Sequence, residues 1–377
     1  MNRKHIFFYT LLRPLVILFL KIRFGYRFET VKNIPGNYIV LSNHATDYDP
    51  LFVGASFPKQ MYYVASEHIA RWKHFYKLLD YVLAPIMRYK GTVATSTVMD
   101  VLRKVRKGAN VCIFAEGVRT WDGVTSPILP STAKLIKASG CALVTYKLTG
   151  GYFVSPGWSD GNLRRGPIHG GPVQIYTKEQ LAAMTQDEIY DAITKDLYED
   201  AYARQRVNPQ RYRSKNSAES LQNLLFICPK CGAKETISTS GDQVTCTSCH
   251  MAFRYTEYGM LDGIPYTTVK ELSDWQKTCV AKDLAAGNVY TSPEAKLITV
   301  ANHLETAVDK GMLSISPRAL TCGNTELLLT DISDLAIHGR HALVFTVGNK
   351  YYELKTAENT NTLKFLLYYE EWKKMIN

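Results

Sequence analysis

Between residues 37 and 175 short runs of β-type residues alternate with stretches whose apolar positions recur at helical spacing. The runs are YIVLSN, MYYVAS, NVCIFAEG, CALVTYKL and PVQIY, each the length of one strand. Between them, TSTVMDVLRKVRKG sets Val98, Val101, Leu102 and Val105 on one stripe, with basic residues between and Gly108 where a helix should stop. That rhythm predicts an α/β domain, a mixed sheet flanked by helices. After a polar helical stretch, TQDEIYDAITKDLYEDAYARQ, periodicity gives way to VNPQRYRSKNSAES, a basic connector rich in Arg, Lys, Asn and Ser. Next comes FICPKCGAKETISTSGDQVTCTSCHMAFRYTEYGMLDG, a block of different character, and then a helical KELSDWQKTCVAKDLAA. The tail reads as Val- and Thr-rich strands, including the hairpin HALVFTVGNKYYELKT with Gly348 and Asn349 at its turn. It ends in NTLKFLLYYEEWKKMIN, a helix expected to bury Leu363, Leu366, Leu367 and Trp372. A strand meander capped by one helix is the pattern of a pleckstrin-homology-like barrel, an analogy of fold alone. The expected organisation is an N-terminal segment over 1–24, the α/β domain over 25–203, a connector over 204–224, the altered block over 225–264 and a mainly-β C-terminal α+β domain over 265–377.

The longest apolar stretch is the start, HIFFYTLLRPLVILFLKIRFGYRF. Arg13 and Pro14 interrupt it after residues 6–12, short of the roughly 20 residues needed to span a bilayer, which argues against a simple transmembrane helix. As a signal peptide it has a basic start at Arg3 and Lys4, but Lys21 and Arg23 follow the apolar run with no small-residue cleavage site. The favoured expectation is an amphipathic or shallowly inserted helix, with aromatics and leucines in the acyl region and Lys4, Arg13, Lys21 and Arg23 near phosphates. The bland alternative is a soluble helix packed on the domain behind it. The favoured reading places the chain on the cytoplasmic face of the cell membrane, as a peripheral or monotopic protein.

Composition sharpens this in three ways. At 377 residues the chain exceeds one hydrophobic core, and 46% hydrophobic content excludes wholesale disorder. A net charge of +11 favours anionic partners: phospholipid head groups, acidic cofactors or nucleic acid. Four of the eight cysteines form two CxxC pairs, while Cys112, Cys141, Cys279 and Cys322 are scattered. This is no secreted disulfide framework, and it fits a reducing cytoplasm.

The candidate chemistry begins in SNHATDYDP, where Asp49 follows His44 by five positions. On a regular helix that offset would part the side chains by roughly 140°. They must therefore meet on a turn, with YIVLSN as the strand running in and Asp49-Pro50 as N-cap and first helical residue. Asp49 can orient one imidazole nitrogen and leave the other as a general base. An alkyl hydroxyl attacking a thioester needs such a base, and without a G-x-S-x-G elbow direct attack is simpler than a serine intermediate. By itself the pair also fits a loop histidine capped by a nearby carboxylate. The second cluster is IFAEGVRTWDG, where a strand over 111–114 ends in Glu116, Gly117 and Arg119. Ligand sites of open α/β sheets lie at such strand ends. Gly117 allows close backbone approach, Arg119 offers a fork for phosphate, and Glu116 can fix that guanidinium or a substrate hydroxyl. IMRYKG adds Arg88 and Lys90 as further phosphate candidates.

On these residues the first half of the chain, about residues 6–198, resembles the glycerophospholipid acyltransferase family, and within it the 1-acylglycerol-3-phosphate acyltransferases. SNHATDYDP is similar to the family's NHxxxxD motif, which implies His44 as general base and Asp49 as its partner. FAEGVRT is similar to its FPEGTRS block, implying Glu116, Gly117 and Arg119 as binders of the acceptor's phosphate and glycerol, with Arg88 standing for the family's second motif. Ala115 and Val118 replace that block's proline and threonine, and LVTYKL lacks the later strand's proline. The resemblance makes residues 25–203 an acyltransferase domain. It implies acyl-CoA or acyl carrier protein as donor and a lysophospholipid as acceptor.

In the altered block, Cys228 and Cys231 form one CxxC pair and Cys246 and Cys249 another, joined by a segment with a TSGD turn. Two such knuckles bring four thiolates into a tetrahedron, the closed geometry of structural zinc, so the segment reads as a zinc ribbon. With every position taken by cysteine, no site remains for a substrate. His250 is a spare that could replace Cys249, with a solvated histidine the favoured reading. Redox cycling of the pairs is the rival. Ribbons also bind nucleic acid, and Arg204, Arg206, Arg211, Arg213 and Lys215 of the connector could face it, lie on anionic lipid, or form a solvated face. A membrane phospholipid surface is preferred to nucleic acid as partner; the rival to the enzyme is a non-catalytic zinc-ribbon scaffold or nucleic-acid-binding protein, and a related option keeps the chemistry on another acceptor such as glycerol 3-phosphate.

Overall fold

The computed structural model describes residues 2–66, 73–88, 95–301, 304–358 and 360–376. Its first unit contains α1 (Arg3–Phe24), β1 (Arg27–Phe28), β2 (Tyr38–Ser42), α2 (Asp49–Ser56), β3 (Met61–Ser66), α3 (Lys73–Val82), β4 (Ile86–Arg88), α4 (Thr95–Arg106) and β5 (Asn110–Phe114). It continues through α5 (Ser131–Ser139), β6 (Ala142–Thr149), α6 (Gly151–Val154), β7 (His169–Tyr176), α7 (Lys178–Ala183), α8 (Gln186–Leu197) and α9 (Ala201–Val207). The strands form one mixed sheet in the order β1-β7-β6-β2-β5-β3-β4, parallel except where β6 meets β7. All five β2 residues are buried, because helices cover both sides of the sheet. Tyr38 and Val40 point into one layer with Phe52 and Val53, and Ile39 and Leu41 into the other with Val101, Ile136 and Ile193. The expected stripe of α4 packs there, and Gly108 ends the segment at a positive φ of 77°. Strands β1 and β4 were not expected, being too short to show a period.

Helix α1 departs from the expected interruption. It runs unbroken for 22 residues through Pro14, capped by the Asn2 side chain and closed by Gly25 in the left-handed conformation. Arg13 bends onto the C-terminal carbonyls of α2, donating through Nε to Gly54 O at 3.4 Å and through its terminal nitrogen to Ala55 O at 2.5 Å. The charge that breaks the apolar run in sequence is thus satisfied on the inner face. The outer face keeps Phe7, Leu11, Leu15, Leu18 and Ile22 exposed in one stripe. The helix is long and apolar enough to cross a membrane.

The connector also begins differently. Arg204 and Arg206 lie within α9 and are paired, at 2.7 Å each, with Glu199 and Glu271. The chain then runs past the buried Tyr212 to a 3-10 turn at Leu221–Asn223. The ribbon follows as a four-stranded antiparallel sheet of β8 (Ile237–Ser240), β9 (Gln243–Cys246), β10 (Ala252–Tyr255) and β11 (Leu261–Asp262). Helix α10 (Val269–Ala285) leads to β12 (Tyr290–Ala301), β13 (Leu304–Ile315), β14 (Ala319–Cys322), β15 (Thr325–Leu328), β16 (Ile332–His338), β17 (Ala342–Val347), β18 (Lys350–Thr356) and α11 (Leu363–Ile376). Their antiparallel order is β15-β14-β13-β12-β18-β17-β16, a meander whose first strand also pairs with its last. Val347 pairs with Lys350 across Gly348 and Asn349, as the hairpin pattern predicted. α11 buries Leu363, Leu367 and Trp372 and half-buries Leu366, with Phe365, Tyr368 and Tyr369 added to the core. One hydrophobic core continues through all three units: Phe153 lies 5.0 Å from Tyr212 and Trp158 5.6 Å from Tyr255, ring centre to ring centre.

Candidate active site

The sheet's parallel strands β2 and β5 end side by side, and the loops that leave them make the site. At the end of β2, the Asn43 side chain both donates to Leu148 O (2.9 Å) and accepts from Leu148 N–H (2.8 Å), pinning the loop to β6. Asp49 then folds the loop back. Its Oδ2 accepts from Ala45 N–H at 2.6 Å and Thr46 N–H at 2.9 Å, and lies 2.8 Å from His44 Nδ1, while Oδ1 accepts from the Thr46 hydroxyl at 2.6 Å. Asp49 is the first residue of α2 and Tyr48 occupies the cap position, one place earlier than expected. The close turn also needs Gly151, where a Cβ would stand 3.2 Å from Ala45 and Thr46 side-chain atoms.

The Asp49 side chain is 1% exposed and that of His44 20%, so the carboxylate is interior and the imidazole reaches the surface. Phe114 stacks on the ring at 4.5 Å. With Nδ1 held by Asp49, Nε2 has no protein partner among the described residues. A cavity of about 10 Å³ beside His44, lined in part by Asn43, Glu116 and Gly150, has room for no more than about one water.

Glu116 and Arg119 both border this loop, but they are not paired with each other as the sequence suggested. Glu116 Oε1 accepts from His44 N–H and Oε2 from Ser126 N–H, each at 2.6 Å. Its carboxyl is a strut between the two loops, and burial pushes its pKa up to about 8. Arg119 pairs instead with Asp47, at 3.1 Å. Gly117 takes a positive φ of 68° that lets the chain turn back after β5, and its Cβ position is open. Arg88 ends β4 on the same sheet edge, three strands from β2 and hence roughly 14 Å away at the usual strand spacing. Lys90 lies outside the described residues. Asn43, Asp47, Phe114, Ser126 and Gly151 were not singled out from sequence, although Asn43 and Asp47 sit inside the first motif.

The four ribbon cysteines converge. Sγ of Cys228 is 3.7 Å from that of Cys249, Sγ of Cys231 is 3.9 Å from that of Cys246, and all four lie within 4.8 Å of one another. A tetrahedral zinc with bonds of ~2.3 Å requires sulfur separations of ~3.8 Å. The group therefore fits zinc, and His250 is exposed and outside it.

The mixed α/β sheet brings a His-Asp pair and an Arg-bearing loop to adjacent strand ends, and residues 25–149 match the family described as Acyltransferase. That stretch closes on the last residue of β6 and contains both loops, while the ribbon and the C-terminal β-sheet lie beyond it. Among solved structures, the 1-acyl-sn-glycerophosphate (LPA) acyltransferase PlsC from Thermotoga maritima is similar at 15% identity and a TM-score of 0.41, over 52% of this chain and 81% of that one. No curated protein matches the chain significantly.

Proposed function

We propose that the chain is an O-acyltransferase moving a fatty acyl group from acyl-CoA or acyl carrier protein to the hydroxyl of a lysophospholipid, foremost 1-acylglycerol-3-phosphate. The observation that carries this reading is the part-exposed His44 ring, held through Nδ1 by Asp49, with no protein partner on Nε2 among the described residues and the Glu116 loop tied to its backbone. As the acceptor hydroxyl attacks the thioester carbonyl, Nε2 takes its proton, and the interior Asp49 carboxylate stabilises the imidazolium. When the C–S bond breaks, the departing thiolate takes that proton back and leaves as a thiol. No covalent enzyme intermediate is required.

Arg119 and Arg88, with Lys90, supply positive charge for the acceptor phosphate, and Gly117 leaves the backbone open beneath it. Both oxygens of Glu116 are engaged, so it serves the reaction through the His44 backbone, as a positioning residue. Cys228, Cys231, Cys246 and Cys249 hold one structural zinc, which would fix the ribbon and take no part in the chemistry. The exposed apolar face of α1 favours work at a membrane surface, and the scattered cysteines, with no disulfide framework, favour its cytoplasmic face. The domains proposed are those expected from sequence, with the connector starting inside α9. The deciding experiment is an acceptor screen scoring acceptor-dependent thiol release, with His44→Ala beside wild type. Equal release by the two would remove His44 as base, and no release with any acceptor would remove the enzyme.

A further inference from the structure

The C-terminal end of α1, the loop after α6 and the connector converge on a cleft of about 920 Å³, separate from the His44 site. Its walls are of two kinds. Phe19, Ile22 and Leu163 form an apolar side, and Arg23, Arg165, Arg213 and Lys215 form a basic one, with Glu257 the single acidic residue of the lining among the described residues. The basic side is assembled from distant stretches of chain: Arg165 and Arg213 face each other across an antiparallel β-bridge. Glu257 is shared between Arg211 at 3.2 Å and Arg213 at 3.7 Å, and among the described residues Arg23, Arg165 and Lys215 have no carboxylate partner. The cleft thus holds a surplus of cations against an apolar wall.

That wall is continuous with the exposed stripe of α1, since Ile22 belongs to both. We infer that this cleft is a binding site for an anionic phospholipid of the bilayer. The lipid phosphate is held by Arg23, Arg165, Arg213 and Lys215, and its chains run along Phe19, Ile22 and the α1 stripe. A volume of this order suits a head group and glycerol, and guanidinium groups suit phosphate. A nucleic-acid strand would instead need aromatic platforms for its bases, and among the described residues Phe19 is the one aromatic of the lining. Phe24, next to Arg23, packs 5.0 Å from Tyr48 in the loop between His44 and Asp49. Lipid seated in the cleft therefore holds the catalytic loop at the membrane surface. The inference rests on the membrane part of the proposed function and gives it a location and a lipid charge.

The test is co-sedimentation of the full chain with vesicles of phosphatidylcholine alone and of phosphatidylcholine mixed with phosphatidylglycerol, at low and high salt. Wild type is expected to prefer the anionic vesicles and to lose that preference as salt rises. The triple variant Arg165→Glu, Arg213→Glu, Lys215→Glu should lose at least about tenfold in affinity for them. Glu257→Gln, which frees Arg211 and Arg213, should bind them more tightly. Acyl transfer to a short-chain acceptor in solution should survive in both variants, so a failure of the cleft is distinguishable from a failure of the chemistry. Unchanged sedimentation of the triple variant, or no preference of wild type for the anionic vesicles at low salt, overturns the lipid site. Loss of binding together with loss of the wild-type circular dichroism in the triple variant leaves Glu257→Gln to decide, and there unaltered binding counts against the proposal.

Discussion

Asp49 Oδ2 lies 2.8 Å from His44 Nδ1 and accepts the N–H groups of Ala45 and Thr46 in the same loop. The carboxylate that orients the imidazole also folds the segment presenting it. An Asp49→Asn change turns one acceptor oxygen into a donor in an interior with three donors already aimed at Oδ2. Thiol release should fall by about 10²-fold or more, with a loss of about 1–3 kcal/mol in stability. Urea unfolding and steady-state kinetics on the same preparation measure both, and a variant matching wild type in either would separate roles that the loop joins.

His44→Ala should behave differently. Its ring reaches the surface and stacks on Phe114, so the fold should survive while kcat drops by about 10²–10⁴ and KM for the acyl donor changes little. The comparison needs thiol release alongside the thermal midpoint. Retained turnover would transfer the base to another group.

Arg119 is held by Asp47, whose side chain is largely exposed, and an exposed pair adds less than about 1 kcal/mol to stability. Asp47→Ala should accordingly leave the thermal midpoint in place. It should raise KM for a phosphate-bearing acceptor several-fold while kcat holds, because the guanidinium loses its orientation. An equal rise for an acceptor without phosphate would show that Arg119 does not read that group.

Glu116 carries a pH prediction. Its pKa is raised by burial from the usual carboxylate value to about 8, so the folded state holds a proton that the unfolded state has released. The stabilising contribution is complete below the unfolded pKa of about 4.5 and is lost as pH rises through about 8. Wild type should therefore lose stability relative to Glu116→Gln between those limits. Urea midpoints of the pair at about pH 5 and about pH 9 give the sign, and a gap that widens in favour of wild type at high pH would reverse it.

Zinc removal should be felt well beyond the ribbon. Cys228→Ser with Cys231→Ser, or a strong chelator, should abolish binding of one zinc per chain. Because the core runs on through the Phe153–Tyr212 and Trp158–Tyr255 contacts, the acyltransferase domain should unfold at a lower temperature as well. Metal analysis paired with calorimetry checks this, and an unshifted main transition would mean that the ribbon folds on its own account.

Much of the frame was legible in the chain itself. Runs of β-type residues marked the five principal strands and helical spacing marked α4, Gly348-Asn349 set a hairpin, and the two CxxC pairs announced four converging thiols, because each depends on local sequence. The loops of the candidate site were visible as residue types at strand ends. Other features depended on packing between distant segments. Arg13 reads as a break in an apolar run until the carbonyls of Gly54 and Ala55 receive it, and α1 then becomes continuous. Glu116 reads as a ligand for Arg119 or substrate until its oxygens are found on His44 and Ser126 N–H groups, one of them 72 positions away. The basic connector reads as one charged surface, yet Glu199 and Glu271 neutralise Arg204 and Arg206, while Arg213 and Lys215 join Arg23 and Arg165 around a cleft. Sequence alone determined which groups are available and the local elements that carry them. Tertiary structure decided which charges are satisfied and which remain free to act, since that depends on the neighbours folding supplies.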